Sequence, residues 1–168
     1  MAYGCVRTDN MAGTVLGSGL VPFKYQPSGV DTAIENGNVV VIGGYISGER
    51  EIRTASTPAA GSAFASIALV ASEEVLKDKN NYFINEFINA AGAICRGYRL
   101  HPGDIFSITA ECFADESALE VGSVVELAAG TKLKAVASLT SGSTQIGKII
   151  AIEDPWYVIE VMPAAVGV

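Results

Sequence analysis

The sequence contains one histidine, one tryptophan and three cysteines among 168 residues, and these small numbers limit its chemistry. A hydrolytic triad needs an imidazole base beside its nucleophile, and His101 is the only candidate base. Cys5, Cys95 and Cys112 form no CxxC pair, so no zinc site is expected. The three thiols are interpreted as small apolar residues in a reducing cytoplasm.

Charge is scarce as well, at 17% of the residues, and the net charge is −7. Nucleic-acid binding needs a basic surface that displaces counterions from phosphate, so no nucleic-acid partner is expected. No apolar run reaches the roughly 18 residues that cross a membrane, and Met1–Arg7 lacks the character of a signal peptide. The 49% apolar content still leaves surface for a partner or for further copies of the chain.

The other motifs that could carry chemistry are weak. Glu73/Glu74 and Asp115/Glu116 are neighbours in sequence, and neighbours on a strand point to opposite faces, so paired acid–base chemistry is not expected. Gly17-Ser-Gly19 has no helix pattern after it and fails as a dinucleotide-binding loop. The prediction is a protein that is not an enzyme and that uses no metal and no cofactor.

What the sequence does contain is a repeated segment. Residues 31–42 (DTAIENGNVVVI) and 116–127 (ESALEVGSVVEL) are identical at five positions, 85 residues apart. Each copy places an acidic residue and a turn glycine ahead of an apolar strand, and 102–108 (PGDIFSI) is a weaker third copy. Repetition of this kind favours a fold built from related small β-units.

Strands are predicted where apolar residues alternate or run on between turn signals. Phe64–Ala71 is a continuous apolar run, typical of a strand buried on both faces, whereas Glu49–Thr54 has the charged character of an exposed edge strand. The other predicted strands are 38–42, 45–46, 94–100, a segment ending at 108, 123–127, 132–137, 148–153 and 156–162.

Two stretches depart from the β pattern. Residues 1–30 are rich in glycine and proline and predict an extended arm, whose deletion should leave the remainder folded. Apolar residues at helical spacing, closed by Gly92, predict a helix over about 81–90. The predicted fold is therefore mainly β, with small antiparallel β-barrel or sandwich units, one short helix and an extended N-terminal arm.

The predicted domain organisation follows from these elements. The arm covers 1–30 and a β-rich domain covers 31–168. The repeat leaves open a division of that domain into two related β-units, about 31–71 and 101–168, joined by a helical insert at 72–100.

Two arginines, Arg96 and Arg99, stand out on one predicted strand. An exposed strand face explains them, and docking onto carboxylates of a partner through bidentate pairs is the functional alternative. Trp156 and Tyr157 are interpreted as packing in the core or at the rim of a barrel, with an interface role second.

Several phrases of the sequence resemble structural proteins of tailed bacteriophages. They are Ala71-Ser-Glu-Glu-Val75, Phe83–Gly92 and Arg96–Ser107, and with Glu35–Val39 and Gly48–Ile52 they resemble the decoration (auxiliary or cement) proteins of phage heads. The resemblance covers about 31–108. It implies a non-enzymatic protein of the virion, made in the host cytoplasm, that binds the outside of the assembled major capsid protein and stabilises the head.

The family also implies a homo-oligomer, with a trimer as one option, and an arm that completes a sheet of the shell protein. A tail or baseplate β-barrel protein is the alternative within the virion, and a carbohydrate-binding β-module is a weaker alternative because the tryptophan is single. The residues expected to contact the capsid are Val15, Leu16, Leu20, Phe23 and Tyr25 in the arm, with Arg96 and Arg99 as secondary candidates.

Overall fold

The fold is mainly β, as predicted, in a computed structural model that describes residues 2–75 and 83–168. Strands hold 41% of the residues, pairing is mostly antiparallel, and the helical turns among the described residues are short 3-10 segments. None of the described helices is long and apolar enough to span a membrane. The strands are β1 (Val6–Asn10), β2 (Leu20–Tyr25), β3 (Val39–Tyr45), β4 (Arg53–Ser56), β5 (Ile67–Val70), β6 (Cys95–Arg99), β7 (Ile105–Ile108), β8 (Val124–Leu127), β9 (Leu133–Val136), β10 (Gln145–Glu153) and β11 (Trp156–Val161).

The strands form two successive units with the same topology. In the first unit the spatial order is β4-β3-β5-β6-β2, and in the second it is β9-β8-β10-β11-β7. Each unit therefore places its second strand in chain order between the third and the fourth, and every one of these neighbouring pairs is antiparallel in both units. The repeat in the sequence thus corresponds to a repeat of topology.

The two units close differently. Parallel pairing of β2 with β4, beginning at Phe23 and Arg53, closes the first unit into a five-stranded barrel. In the second unit a single parallel bridge joins Phe113, beyond the end of β7, to Leu133 of β9. The backbone N–H of Ala114 donates to the carbonyl of Leu133 at 2.8 Å. The second unit is therefore an open sheet curled towards the same closure.

Left-handed glycines begin the repeated strands. Gly37, Gly103 and Gly122 have φ of 81°, 93° and 99°, a region that only glycine enters without a steric penalty. In each case the strand (β3, β7 or β8) begins two residues later. The predicted unit, a turn glycine ahead of an apolar strand, is confirmed in all three copies.

The strand β5 is buried on both faces, as its continuous apolar run predicts. Ile67 and Leu69 face a large core shared by the two units, whereas Ala68 and Val70 face the interior of the barrel. All four residues are at most 1% exposed. The barrel wall around β5 is thus the layer against which the second unit packs, and the shared core also includes Phe106, Ile108, Val125, Leu127, Ile146, Ile149 and Ile159.

The prediction of an extended N-terminal arm is wrong for the described residues 2–30, because they contribute one strand to each of the two sheets. β1 extends the second unit by pairing antiparallel with β7, with Val6 opposite Ile108. β2 is a wall of the first barrel, where Val21, Phe23 and Tyr25 alternate inwards. The units consequently run from β2 to β6 and from β7 to β11, and the first is longer at both ends than 31–71.

The prediction of a helix over about 81–90 is also wrong for its described part, residues 83–90. This stretch contains one 3-10 turn, Ile84–Glu86, and then extended chain. Asn89 forms an isolated antiparallel bridge with Ile34, with both backbone N–H···O distances at 3.0 Å. Tertiary pairing therefore overrides the helical spacing, and residues 81 and 82 lie outside the described residues.

Glu49–Thr54, predicted as an exposed edge strand, is in fact a loop followed by the first two residues of β4. Residues 49–52 lie in an irregular loop that follows the turn at 47–48, and β4 begins only at Arg53. β4 pairs with β2 on one side and with β3 on the other, so it has no free edge along these ladders. Glu49, Arg50 and Glu51 are exposed in this loop, and of the alternating charges only Arg53 belongs to β4.

Candidate protein interface

A short loop between β1 and β2 presents two apolar side chains to solvent. We call residues 12–19 the apolar loop. Val15 is 85% exposed and Leu16 is 55% exposed, whereas Met11, directly before the loop, is 1% exposed and belongs to the shared core. The loop is therefore anchored at its base while its tip remains open for contact.

Internal hydrogen bonds hold the apolar loop in one shape. The N–H groups of Thr14 and Leu16 donate to the carbonyls of Met11 and Ala12 at 3.0 and 2.7 Å, and the Thr14 hydroxyl donates to the carbonyl of Met11 at 2.6 Å. Because these bonds link the backbone on both sides of Val15, the loop holds Val15 and Leu16 in place before any partner arrives.

A buried carboxylate and two glycines fix the base of the loop. Asp104, 4% exposed, accepts from the backbone N–H of Ala12 at 2.8 Å and from that of His101 at 2.9 Å. A Cβ on Gly19 would lie 2.7 Å from the Cα of Gly13, closer than real side chains come. The two ends of the loop thus pass each other at a distance that only glycine allows.

The structure does not bring the seven predicted contact residues into one site. Val15 and Leu16 lie at the tip of the apolar loop, and half-buried Leu20 follows it at the start of β2. Phe23 and Tyr25 lie inside the barrel, at 0% and 8% exposure. The prediction that Phe23 and Tyr25 contact a partner is therefore wrong. Both are core residues, because they point inwards on an alternating strand.

The two arginines are separated as well. Arg96 pairs with Glu73 at 3.0 Å and lines an open groove of about 610 Å³ between β2, β6 and the segment after β5. Arg99 lines a different groove, which borders the apolar loop through Gly17 and Ser18. Residues three apart on a strand face opposite ways, so a joint role for the pair is not supported.

Sequence reasoning missed the residues that accompany Arg99. Tyr45, Arg50 and Arg53 line the same groove and come from the end of β3, the turn after it and the start of β4. The signal in the sequence is the cluster of charges at 49–53, which by itself predicts the edge of a strand. Parallel pairing of β4 with β2, the strand that directly follows the apolar loop, brings the start of β4 and the turn before it beside that loop.

Groups that carry chemistry in other proteins are dispersed here. The His101 ring nitrogen Nδ1 lies 3.1 Å from the carbonyl of Arg99 and 3.7 Å from Asp104. Burial raises the pKa of Cys5 and Cys95 to about 11 and that of Cys112 to about 12, so the thiols stay protonated. Over residues 2–75 and 83–168, no group of three metal-binding side chains occurs.

Trp156 is partly covered by a cation. The guanidinium carbon of Arg7 lies 4.6 Å from the centre of the Trp156 ring, and Arg7 also faces Asp9 and Glu153 at 3.5 and 3.6 Å. A sugar stacks on an open aromatic face, so this arrangement gives a carbohydrate-binding role no support.

Comparisons of the chain with protein-family models, with curated proteins and with solved structures found no match.

Proposed function

We propose that this protein is a phage capsid decoration protein that binds the outer surface of the assembled major capsid protein and stabilises the head without catalysis. The observation that carries the proposal is the apolar loop, a braced segment that exposes Val15 and Leu16. Exposed apolar side chains on a preorganised support are typical of protein interfaces, since little ordering entropy is lost when they are covered.

The shape of the molecule is compatible with this role. The two units share a core, so the protein offers a stiff body with loops at its surface. Many copies bound to a symmetric lattice add small contact energies through avidity, and a modest interface per copy is sufficient. The partner, the major capsid protein, is proposed because residues 31–108 resemble decoration proteins. The same resemblance is the reason for proposing that the protein self-associates, with a trimer as one option.

Rebinding of purified protein to heads that lack it tests the proposal. In the variant Val15→Asp/Leu16→Asp both changes lie at exposed positions, so the fold should be retained while occupancy falls at least about tenfold, because a charge would be buried at the interface. Val121→Asp is a control that adds one such charge elsewhere, since Val121 is 61% exposed but lies on the second unit.

Two results would contradict the proposal. One is full occupancy by the Val15→Asp/Leu16→Asp variant, and the other is an equal loss with Val121→Asp. Circular dichroism of each variant separates lost binding from lost folding. A tail or baseplate role would appear as binding to tails and not to heads.

A further inference from the structure

Three arginines converge on the groove beside the apolar loop. Arg50, Arg53 and Arg99 line an open groove of about 420 Å³, together with Tyr45 and Glu51. We call it the arginine groove. It brings together three of the chain's 11 basic residues, in a protein whose net charge is −7.

Two of these guanidinium groups are held in position by the protein. Arg53 donates from Nη1 to the carbonyl of Gly43 at 3.1 Å and from Nη2 to the Tyr45 hydroxyl at 2.9 Å, and its guanidinium carbon lies 4.1 Å from the centre of the Tyr45 ring. Arg99 donates from Nη1 to the carbonyl of Ala65 at 3.1 Å. A guanidinium has five N–H donors, so each group retains donors for a ligand while its orientation is fixed.

The positive charge of the groove is not neutralised from within. Among the described residues, the ion pairs involve Arg7, Arg96 and His101, and none involves Arg50, Arg53 or Arg99. Among the described residues that line the groove, Glu51 is the one acidic residue, so three positive charges face one negative charge. Three like charges in one concave site repel one another, and an incoming anion relieves that repulsion.

We propose that the arginine groove binds carboxylate side chains of an acidic segment in a protein partner. The inference deepens the proposed function and rests on it for the identity of that partner, the capsid shell. The planar fork of arginine matches a carboxylate in a bidentate pair, and such pairs fix orientation as well as add energy.

A protein segment fits this place better than a nucleic acid. Nucleic acids require a broad basic surface along the phosphate backbone, which an acidic protein with one local cluster does not provide. The groove also adjoins the apolar loop, because Gly17 and Ser18 line it directly after the exposed Val15 and Leu16. A peptide that combines acidic and apolar side chains would satisfy both surfaces at once.

Fluorescence anisotropy with a labelled hexaglutamate peptide tests the proposal on the full chain. We expect saturable binding that weakens with salt, and at least about tenfold weaker binding in Arg53→Gln/Arg99→Gln, because two charge-assisted pairs are lost. The variant Arg53→Lys/Arg99→Lys keeps the charge but not the fork, and should bind more weakly than the natural protein.

Controls keep charge, folding and chemistry apart. Lys132→Gln/Lys148→Gln removes the same charge from the second unit and should change the affinity by less than about twofold. Changing Arg53 also removes its hydrogen bond to Tyr45, which could disturb β3 and β4. Arg50 lies in the exposed loop between these strands, so Arg50→Gln should leave them intact and still weaken hexaglutamate binding.

Each of three outcomes would overturn the proposal. They are the absence of saturable hexaglutamate binding, equal weakening in the Lys132/Lys148 control, and binding of an oligothymidine as tight as that of the peptide. If the protein binds hexaglutamate but does not bind phage heads, the carboxylate site stands and only the proposed partner, the capsid, is wrong.

Discussion

Two glycines at equivalent places in the two units differ in their surroundings. Gly37 and Gly122 have φ of 81° and 99° and precede β3 and β8 by two residues. A Cβ on Gly37 would collide with the Cys112 Sγ, whereas a Cβ on Gly122 would meet only the Lys148 Cε at 4.0 Å. Position 37 therefore combines a conformational and a packing requirement, and position 122 has the conformational one alone.

Alanine at these two positions should separate the two requirements. Gly122→Ala should lower the free energy of unfolding by about 1–2 kcal/mol through backbone strain, and Gly37→Ala should lower it by about 1–3 kcal/mol more through overpacking. Urea unfolding of both variants measures the difference. Equal losses would contradict the close contact between Gly37 and Cys112.

The buried thiol of Cys112 gives the stability a specific pH dependence. Burial raises its pKa from the ordinary 9.0 to about 12, and the side chain is 0% exposed. Above pH 9 the unfolded chain loses this proton while the folded protein keeps it, so the free energy of unfolding falls as the pH rises towards 12. The slope contributed by one such group is about 1.4 kcal/mol per pH unit.

Urea unfolding between about pH 8 and about pH 10.5 checks this slope. Cys112→Ala is the reference, since it lacks the titration of Cys112 but keeps those of Cys5 and Cys95. Its stability is lower at every pH because a cavity is left. A reference variant with the same slope as the natural protein would show that the thiol does not contribute.

The effect of deleting the N-terminal residues depends on whether β2 is removed. It pairs with β6 over Leu20–Phe23 and with β4 over Phe23–Tyr25, so it closes the first barrel. Deleting residues 1–30 should therefore abolish the native fold, since β4 and β6 would be left with free edges and Phe23 would be missing from the barrel core. The N-terminal segment is therefore not an arm that can be removed without loss of the fold.

Deletion of residues 1–10 is the contrasting truncation. It removes β1, which lies at one end of the sheet, and the hydrogen bond between Ser107 and Asp9. We expect a folded protein of lower stability, with a dispersed two-dimensional NMR spectrum. A dispersed spectrum after deletion of 1–30 would contradict the role of β2.

The elements differ in how far the sequence predicts them. The repeated glycine-and-strand units and the run around β5 are predictable because both signals are local: a left-handed turn and a strand without a polar face. β2 carries a local signal too, the alternation of Val21, Phe23 and Tyr25, but a proline at position 22 argues against a strand paired on both sides. Pairing with β4 begins only at Phe23, so the proline lies outside that ladder.

Other features depend on contacts that no local pattern contains. The spacing of residues 82–90 resembles a helix, yet the bridge between Asn89 and Ile34 joins positions far apart in the chain. The arginine groove depends in the same way on β3–β4 pairing and on the return of β6 beside the apolar loop. Of the five contact residues predicted within the N-terminal segment, Val15 and Leu16 are exposed, because short loops of this kind lie at the surface.

The whole molecule should unfold as one cooperative body. The large core contains side chains from both units, among them Ile67 and Leu69 from the first and Phe106 and Ile149 from the second. Separation of the units would expose this core to water, which is unfavourable in proportion to the apolar area involved. The two units are thus related in topology but are not independent domains.

Two spectroscopic probes check this cooperativity. Trp156, the one tryptophan of the chain, reports on the second unit, and the far-ultraviolet circular dichroism reports on strands in both. Urea transitions followed by the two signals should coincide. Distinct midpoints would show that the units unfold separately.

Occupancy of the virion tests the central claim, that this protein decorates the phage head. Quantitative mass spectrometry of density-purified virions gives its copy number relative to the major capsid protein. The proposed function predicts a ratio near one, because a decoration protein follows the lattice it covers. A few copies per particle would place the protein in the tail or baseplate, and absence from the particle would contradict the structural role altogether.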